Sequence, residues 1–116
     1  MSTSNSTTEA TMAEYRAGVR KRAPTHPGEV VADILRTLRV SARQAAKALH
    51  VSPMALNNVI ARKTAVSSKM ALRLGRLFGN GAELWLNLQR DYDLWHDSQR
   101  MQDELAKIEP INRAAA

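Results

Sequence analysis

The chain has 116 residues, of which 44% are hydrophobic and 24% are charged, a composition typical of one soluble globular domain. It contains no cysteine, which excludes disulfide bonds, thiolate metal sites and a cysteine nucleophile. No segment approaches the roughly 20 apolar residues of a membrane span, and the first ten residues lack the pattern of a secretory signal. We therefore expect a soluble cytoplasmic protein without a membrane partner.

Five helices are predicted in chain order, and no stretch alternates long enough to indicate a strand. Pro27 suits the first turn of the first helix. Ser41 and Ser52 are good N-caps for the next two helices. Ser67 or Ser68 caps the fourth, and Gly79 ends it in the left-handed conformation. The predicted helices span residues 27 to about 38, 42–49, 53 to about 60, about 68–78 and 82 to about 105, and the fold class is all-α.

Both ends of the chain are predicted to be flexible tails, residues 1–22 and 108–116, on either side of one domain over 23–107. The opening is rich in Ser, Thr and Asn and has few large apolar side chains that could pack. Its basic run, Arg20-Lys21-Arg22, is either a contact to DNA or part of a solvated tail. Met12 offers an alternative start.

The charges are segregated along the chain. Residues 34–82 carry nine basic side chains and no acidic one, whereas residues 83–116 carry seven acids and four bases. A solvated surface usually mixes both signs. A purely cationic middle therefore favours a module that binds a polyanion, with nucleic acid as the first candidate. The rival is an interaction protein whose basic face meets RNA or an acidic protein.

Residues 41–60 have the pattern of a helix-turn-helix. Their two short helices are separated by only three residues, so they cannot lie antiparallel and must cross steeply. Ala45, Ala46 and Ala48 allow this close crossing. The turn position is His50, where glycine is usual because φ is positive, and histidine tolerates that region better than most residues. We interpret His50 as a turn residue and not as a ligand or base.

The third helix is predicted to enter the major groove with its N-terminal half leading. Asparagine can read adenine edges and apolar atoms can contact thymine methyl groups, although exposed asparagines are often merely solvated. The outward side chains, predicted to contact bases, are Ser52, Pro53, Met54, Asn57 and Asn58. Polar and cationic side chains around this face are predicted to contact phosphates: Arg43, Gln44, Arg62, Lys63, Ser67, Ser68 and Lys69.

The fifth helix is apolar on more than one side, which gives it more surface to bury than a small core can take. A second subunit would cover this surface, and the alternative is a helix wedged centrally in a monomer. The predicted dimer residues are Leu84, Trp85, Leu88, Tyr92 and Trp95. The acidic end of the chain should point away from DNA, either toward a basic protein or into solvent.

Enzyme chemistry finds no support in the sequence. The three histidines lack the spacing of metal ligands, and no glycine-rich phosphate loop follows a strand. Asp91 and Asp93 point to different sides of a helix, so they cannot act as a paired acid and base. We predict no catalytic residue, no metal and no cofactor.

Three segments resemble the HigA-type antitoxins of bacterial addiction modules, which carry an XRE-type, Cro/repressor-like DNA-binding domain. They are HPGEVVADIL, SARQAAKALHVSPMALNNVIARK and SSKMALRLGRLFGNGAELWLNLQRDYDL, within residues 26 to about 96. The resemblance implies a five-helix, lambda-repressor-like helix-turn-helix domain that forms a homodimer and associates with the nucleoid. It also implies repression of its own operon through operator DNA, and neutralisation of a HigB-type mRNA-cleaving ribonuclease toxin. The alternative is a stand-alone XRE-type repressor without a toxin partner.

Overall fold

The structure, a computed structural model, describes residues 23–111, and within this range it contains six helices and no strand. The all-α fold class is confirmed, and the first four helices agree with the predicted bounds. The tail at 1–22, with Met12 and the run Arg20-Lys21-Arg22, lies outside the described residues, as do residues 112–116. In chain order the helices are α1 (Pro27–Leu38), α2 (Ala42–Leu49), α3 (Pro53–Ile60), α4 (Ser68–Phe78), α5 (Ala82–Arg100) and α6 (Gln102–Ala106).

The fifth predicted helix is interrupted, because Met101, with φ −101° and ψ 14°, separates α5 from α6. Two local features account for the break. The Ser98 hydroxyl donates a hydrogen bond to the Trp95 carbonyl at 2.9 Å, and such back-bonding often bends helices. Every side chain from 97 to 111 is exposed, so no packing holds the helix axis straight.

The predicted helix caps are confirmed. The hydroxyl oxygens of Ser41, Ser52 and Ser67 each accept a hydrogen bond from the backbone N–H three residues later, at 3.0 to 3.1 Å. At the other ends, His50 (φ 60°) caps α2 and Gly79 (φ 74°) caps α4, both in the left-handed conformation. These caps satisfy backbone groups that the helices leave without partners, and they fix where the chain turns between helices.

The hydrophobic core joins the first five helices, with α4 packed along α5 and α3 held between α1 and α2. Gly28 permits this arrangement, because a Cβ there would lie 1.9 Å from the Val59 carbonyl oxygen of α3. The helix that carries the candidate base contacts is therefore seated directly against α1. The buried apolar side chains are Val31, Leu35, Ala45, Ala46, Leu49, Leu56, Val59, Val66, Met70, Ala71, Leu74 and Trp85.

The prediction that Trp85 lies in a dimer interface is wrong. Its side chain is 0% exposed and packs in the core of its own protomer, with the ring of Phe78 at a centroid distance of 5.9 Å. The indole Nε1 donates a hydrogen bond to the Asn80 side-chain oxygen at 2.9 Å. A side chain without accessible surface cannot contact a second subunit.

His26 is the buried N-cap of α1, and we expect it to make stability depend on pH. Its Nδ1 accepts a hydrogen bond from the Gly28 N–H at 2.9 Å, and its ring packs in a T-shaped arrangement with that of Tyr92. Burial, together with the positive charge of Arg62, lowers the pKa of His26. Because the unfolded chain then binds the proton more readily, the free energy of unfolding should fall as pH decreases below about 6.5.

The matched variant is His26→Asn, which keeps an N-cap but removes the titrating group. Urea unfolding of both proteins at several pH values between 5 and 8 measures the effect. The variant should lose the part of the pH dependence that begins near pH 6.5. If both proteins show the same dependence, other groups cause it.

Candidate nucleic-acid interface

The outward face of α3 is polar, uncharged and accessible. Met54 is 72% exposed, and Pro53 and Asn57 are exposed beside it. Asn58 is only half-buried and lies at the margin of this face, since successive residues of a helix are about 100° apart. Ser52 is exposed at the helix start, where its oxygen serves the cap and its hydroxyl hydrogen can still be donated. Asn57 is therefore the central hydrogen-bonding group of the face.

The turn between α2 and α3 is closed by backbone bonds and by a residue from α4 that the sequence pattern did not single out. The N–H of His50 donates to the Lys47 carbonyl at 3.1 Å. Arg73 donates through Nη1 to the Leu49 carbonyl at 2.7 Å and to the His50 carbonyl at 3.4 Å. These carbonyls end a helix and lack helical partners. Arg73 therefore ties α4 to the helix-turn-helix.

The N-termini of α2, α3 and α4 all favour anions. The first two of these helices form the helix-turn-helix, and α4 is the helix after it. Their first turns contain no acidic residue, whereas those of α1 and α5 contain Glu29 and Glu83. The positive ends of the three helix dipoles are thus left without a compensating carboxylate. At the start of α2, the side-chain oxygen of Gln44 accepts from the Ser41 N–H at 2.9 Å, so its amide NH₂ group remains to donate.

The predicted phosphate-binding cations differ in their availability. Arg43, Lys63 and Lys69 are exposed, and none of them forms an ion pair within residues 23–111. Arg62 is different, because its Nη1 donates to the Glu29 carboxylate of α1 at 2.9 Å. Its charge is therefore partly compensated inside the protomer.

The connection between α3 and α4 is fastened to α5 by Gln89, another residue that sequence reasoning missed. Gln89 is buried, and its side-chain oxygen accepts a hydrogen bond from the Val66 N–H at 2.8 Å. Its NH₂ group donates to the Asp93 carboxylate at 3.0 Å. Gln89 follows Trp85 by four residues, so its place on the buried side of α5 was the available signal.

The comparisons with known proteins place the chain in a family. No family model matches it. Virulence-associated protein I of Dichelobacter nodosus is 42% identical over 79 residues, 67% of this chain and 73% of that protein. The solved structure of an addiction module antidote protein of a HigA family from Coxiella burnetii is 32% identical, with a TM-score of 0.74 over 78% of this chain and 100% of its own. The chain belongs to the HigA family of helix-turn-helix antitoxins.

The antitoxin HigA of Pseudomonas aeruginosa, solved with the higBA promoter, is also similar to this chain. It is 36% identical, with a TM-score of 0.72 over 76% of this chain and 98% of its own. The resemblance seen in the sequence is thus confirmed. The matched lengths show that the similarity extends over nearly the whole of the two solved chains.

In this HigA-family chain, four of the five predicted dimer residues lie along one side of α5. Leu84 is exposed, and Leu88, Tyr92 and Trp95 are half-buried. Tyr92 also packs within the protomer, with its ring centroid 4.7 Å from that of His26. The role of this side of α5 in a dimer stays a prediction.

Residues 23–111 contain neither a metal-binding cluster nor a membrane-spanning helix. No group of three or more His, Asp and Glu side chains is arranged there to hold a metal ion. No helix in the same range is long and apolar enough to cross a bilayer.

Proposed function

We propose that this chain is an antitoxin that binds operator DNA as a homodimer, represses its own operon, and neutralises a HigB-type mRNA-cleaving toxin. The observations that carry the DNA-binding part are the uncharged, exposed face of α3, the acid-free starts of α2, α3 and α4, and the exposed cations in the same part of the chain. Such a face supplies base readout, and helix starts and cations supply phosphate contacts. The promoter complex of the Pseudomonas aeruginosa relative supports this assignment.

In the proposed complex, α3 lies in the major groove. Met54 and Asn57 face base edges, and Ser52, Pro53 and Asn58 lie at the margins of the contact. Arg62 contacts a phosphate only when its ion pair with Glu29 is broken. The remaining phosphate contacts come from Arg43, Gln44, Lys63, Ser67, Ser68 and Lys69. The homodimer forms along α5 through Leu84, Leu88, Tyr92 and Trp95, and it presents two α3 helices to half-sites about 34 Å apart.

Replacing Asn57 with alanine tests base readout. We expect binding to the operator to weaken by roughly 1–3 kcal/mol, because the variant loses hydrogen bonds to one base. Binding to unrelated duplex DNA should be unchanged. Asn58→Ala should cost less, since Asn58 lies at the margin of the face. Fluorescence anisotropy with the DNA upstream of this reading frame and with a scrambled duplex measures both affinities.

The matched control is Lys63→Ala, which should weaken binding to all sequences and reduce the salt dependence by about one unit of slope. Base readout by Asn57 is excluded if Asn57→Ala weakens binding to operator and unrelated DNA equally.

Releasing Arg62 should strengthen DNA binding. In Glu29→Gln the carboxylate that pairs with Arg62 is replaced by a neutral amide, so the guanidinium can turn to a phosphate. We expect tighter binding to every sequence, and a salt slope about one unit steeper. The free energy of unfolding should change by less than about 1 kcal/mol, because the ion pair is exposed. The same anisotropy titrations at several salt concentrations check this, and an unchanged slope would show that Arg62 stays away from phosphates.

The toxin part is tested by co-expressing this chain with each adjacent small reading frame, followed by affinity purification and a growth assay. A neighbour that co-purifies, and is toxic only without this chain, supports the antitoxin function. If no neighbour is toxic or co-purifies, the chain is a stand-alone repressor, and the Asn57 result still reports its DNA binding.

A further inference from the structure

Residues 101–111, which we call the C-terminal arm, carry an apolar stripe that no other described residue covers. Met101, Leu105 and Ile108 follow at spacings of four and three, and backbone hydrogen bonds join Leu105 to Met101 and Ile108 to Leu105, so the three lie on one side of α6 and its two ends. Ile108 is 65% exposed, and every other arm residue is exposed as well. Three of the arm's four charged residues are acidic, namely Asp103, Glu104 and Glu109, against the single base Lys107.

A second uncovered apolar surface runs along α4 and carries the opposite charge. Two open cavities of about 440 and 400 Å³ both have Leu72 and Arg76 in their linings, and we call this adjoining pair the α4 groove. Leu72 is 64% exposed and Leu77 is also exposed. The helices α2 and α4 contain no acidic residue, and Arg76 makes no ion pair within residues 23–111.

We propose that the C-terminal arm of one protomer occupies the α4 groove of a second copy of this chain, in a reciprocal exchange. The inference rests on the proposed homodimer and specifies how its two copies hold each other. The arm supplies apolar side chains flanked by carboxylates, and the groove supplies leucines flanked by arginines. Apolar burial gives affinity, and the opposite charges give orientation and specificity.

In its helical form, the C-terminal arm cannot reach the α4 groove of the same protomer. The groove borders the start of α5 at Gly81 and Ala82, whereas the arm begins after the end of that helix. A helix of 19 residues is about 28 Å long. A two-fold axis through the middle of α5 makes the two copies of this helix antiparallel. The end of one α5 then approaches the start of the other, where the partner's groove opens.

Pairing of the two arms with each other is disfavoured by charge. Each arm carries three acids and one base, so two arms side by side would repel. The α4 groove instead combines exposed leucines with the positive charges of Arg73 and Arg76, so it attracts the arm. Uncovered apolar surface of this kind on both elements marks an interaction site.

The exchange is tested with two variants of the full chain, each altered at exposed positions. The arm variant is Leu105→Asp with Ile108→Asp, and the groove variant is Leu72→Asp. Each should raise the dimer dissociation constant about 100-fold or more, because the arm variant loses its apolar contacts and the groove variant places a carboxylate opposite the acids of the arm. Leu38→Asp, on the exposed side of α1, is the matched control and should leave the constant unchanged. Thermal unfolding monitored by circular dichroism confirms that each variant folds.

Mixing the two variants gives the decisive measurement by analytical ultracentrifugation. A mixed dimer contains one intact contact, formed by the arm of the groove variant in the groove of the arm variant. Two chains that are each monomeric alone should therefore recover part of the dimer when mixed. Arm-to-arm pairing predicts no effect of Leu72→Asp and no recovery.

The other outcomes overturn the exchange. If the wild-type chain is a dimer and neither variant weakens it, the proposed dimer stands and the exchange is wrong. If the arm variant keeps the wild-type dimer dissociation constant but no longer co-purifies with another protein, the arm binds that protein and not a second copy of this chain. A monomeric wild-type chain removes both the exchange and the proposed dimer, whereas operator binding is measured separately by the anisotropy titrations.

Discussion

Replacing Trp85 with alanine should lower the free energy of unfolding by about 3–5 kcal/mol, the cost typical of removing a fully buried aromatic side chain. The indole is 0% exposed, and its removal also leaves the Asn80 side chain without its 2.9 Å hydrogen bond. Domains of this size are stable by roughly 5–15 kcal/mol. The variant should therefore unfold at a much lower urea concentration, measured by circular dichroism.

The adjacent residue Leu84 provides the matched control. It lies on the same helix but is 41% exposed, so Leu84→Ala should change the free energy of unfolding by less than about 1 kcal/mol within a protomer. In the proposed dimer, Leu84→Ala should instead weaken association, which sedimentation measures. If Trp85→Ala instead keeps the wild-type free energy of unfolding but has a larger dimer dissociation constant, Trp85 lies in the interface.

The contrast between these two neighbours shows where sequence reasoning succeeded and where it could not. Caps and turns are local, because a serine or a left-handed residue acts on a backbone group only a few positions away. The caps at Ser41, Ser52 and Ser67 and the turn at His50 were predictable for that reason. The side of α5 that faces the core depends on how α4 packs against it. Spacing along α5 groups Trp85 with Leu88 but cannot say which of them is covered by the same chain.

The same distinction between local and long-range contacts applies to the candidate site. The outward face of α3 follows from helix periodicity once the helix-turn-helix is recognised, so Met54 and Asn57 were found from the sequence. The contacts that hold this face in place bridge residues more than 20 positions apart. Arg73 reaches the turn from α4, and Arg62 pairs with Glu29 of α1. No local pattern encodes such pairs, so the structure was needed to find them.

Replacing Gln89 with leucine should lower the free energy of unfolding by about 2–4 kcal/mol, because it removes the hydrogen bonds to Val66 and Asp93 and leaves a buried donor without a partner. The orphaned group is the Val66 N–H, which now donates to Gln89 at 2.8 Å. Leucine fills a similar volume, so the loss reports the hydrogen bonds rather than a cavity. Urea unfolding measures it, and Gln99→Leu, at an exposed position of the same helix, should be nearly neutral.

The same variant should also change DNA binding, in a way that loss of stability alone does not. Val66 directly precedes Ser67, the cap of α4, so the Gln89 contact fixes the position of a helix start proposed to bind phosphate. At temperatures where the variant is fully folded, we expect weaker binding to every sequence and a salt slope smaller by about one unit. The preference for the operator over unrelated DNA should persist, because Asn57 is untouched. If DNA binding by the folded variant has the wild-type salt slope, Gln89 contributes to stability only.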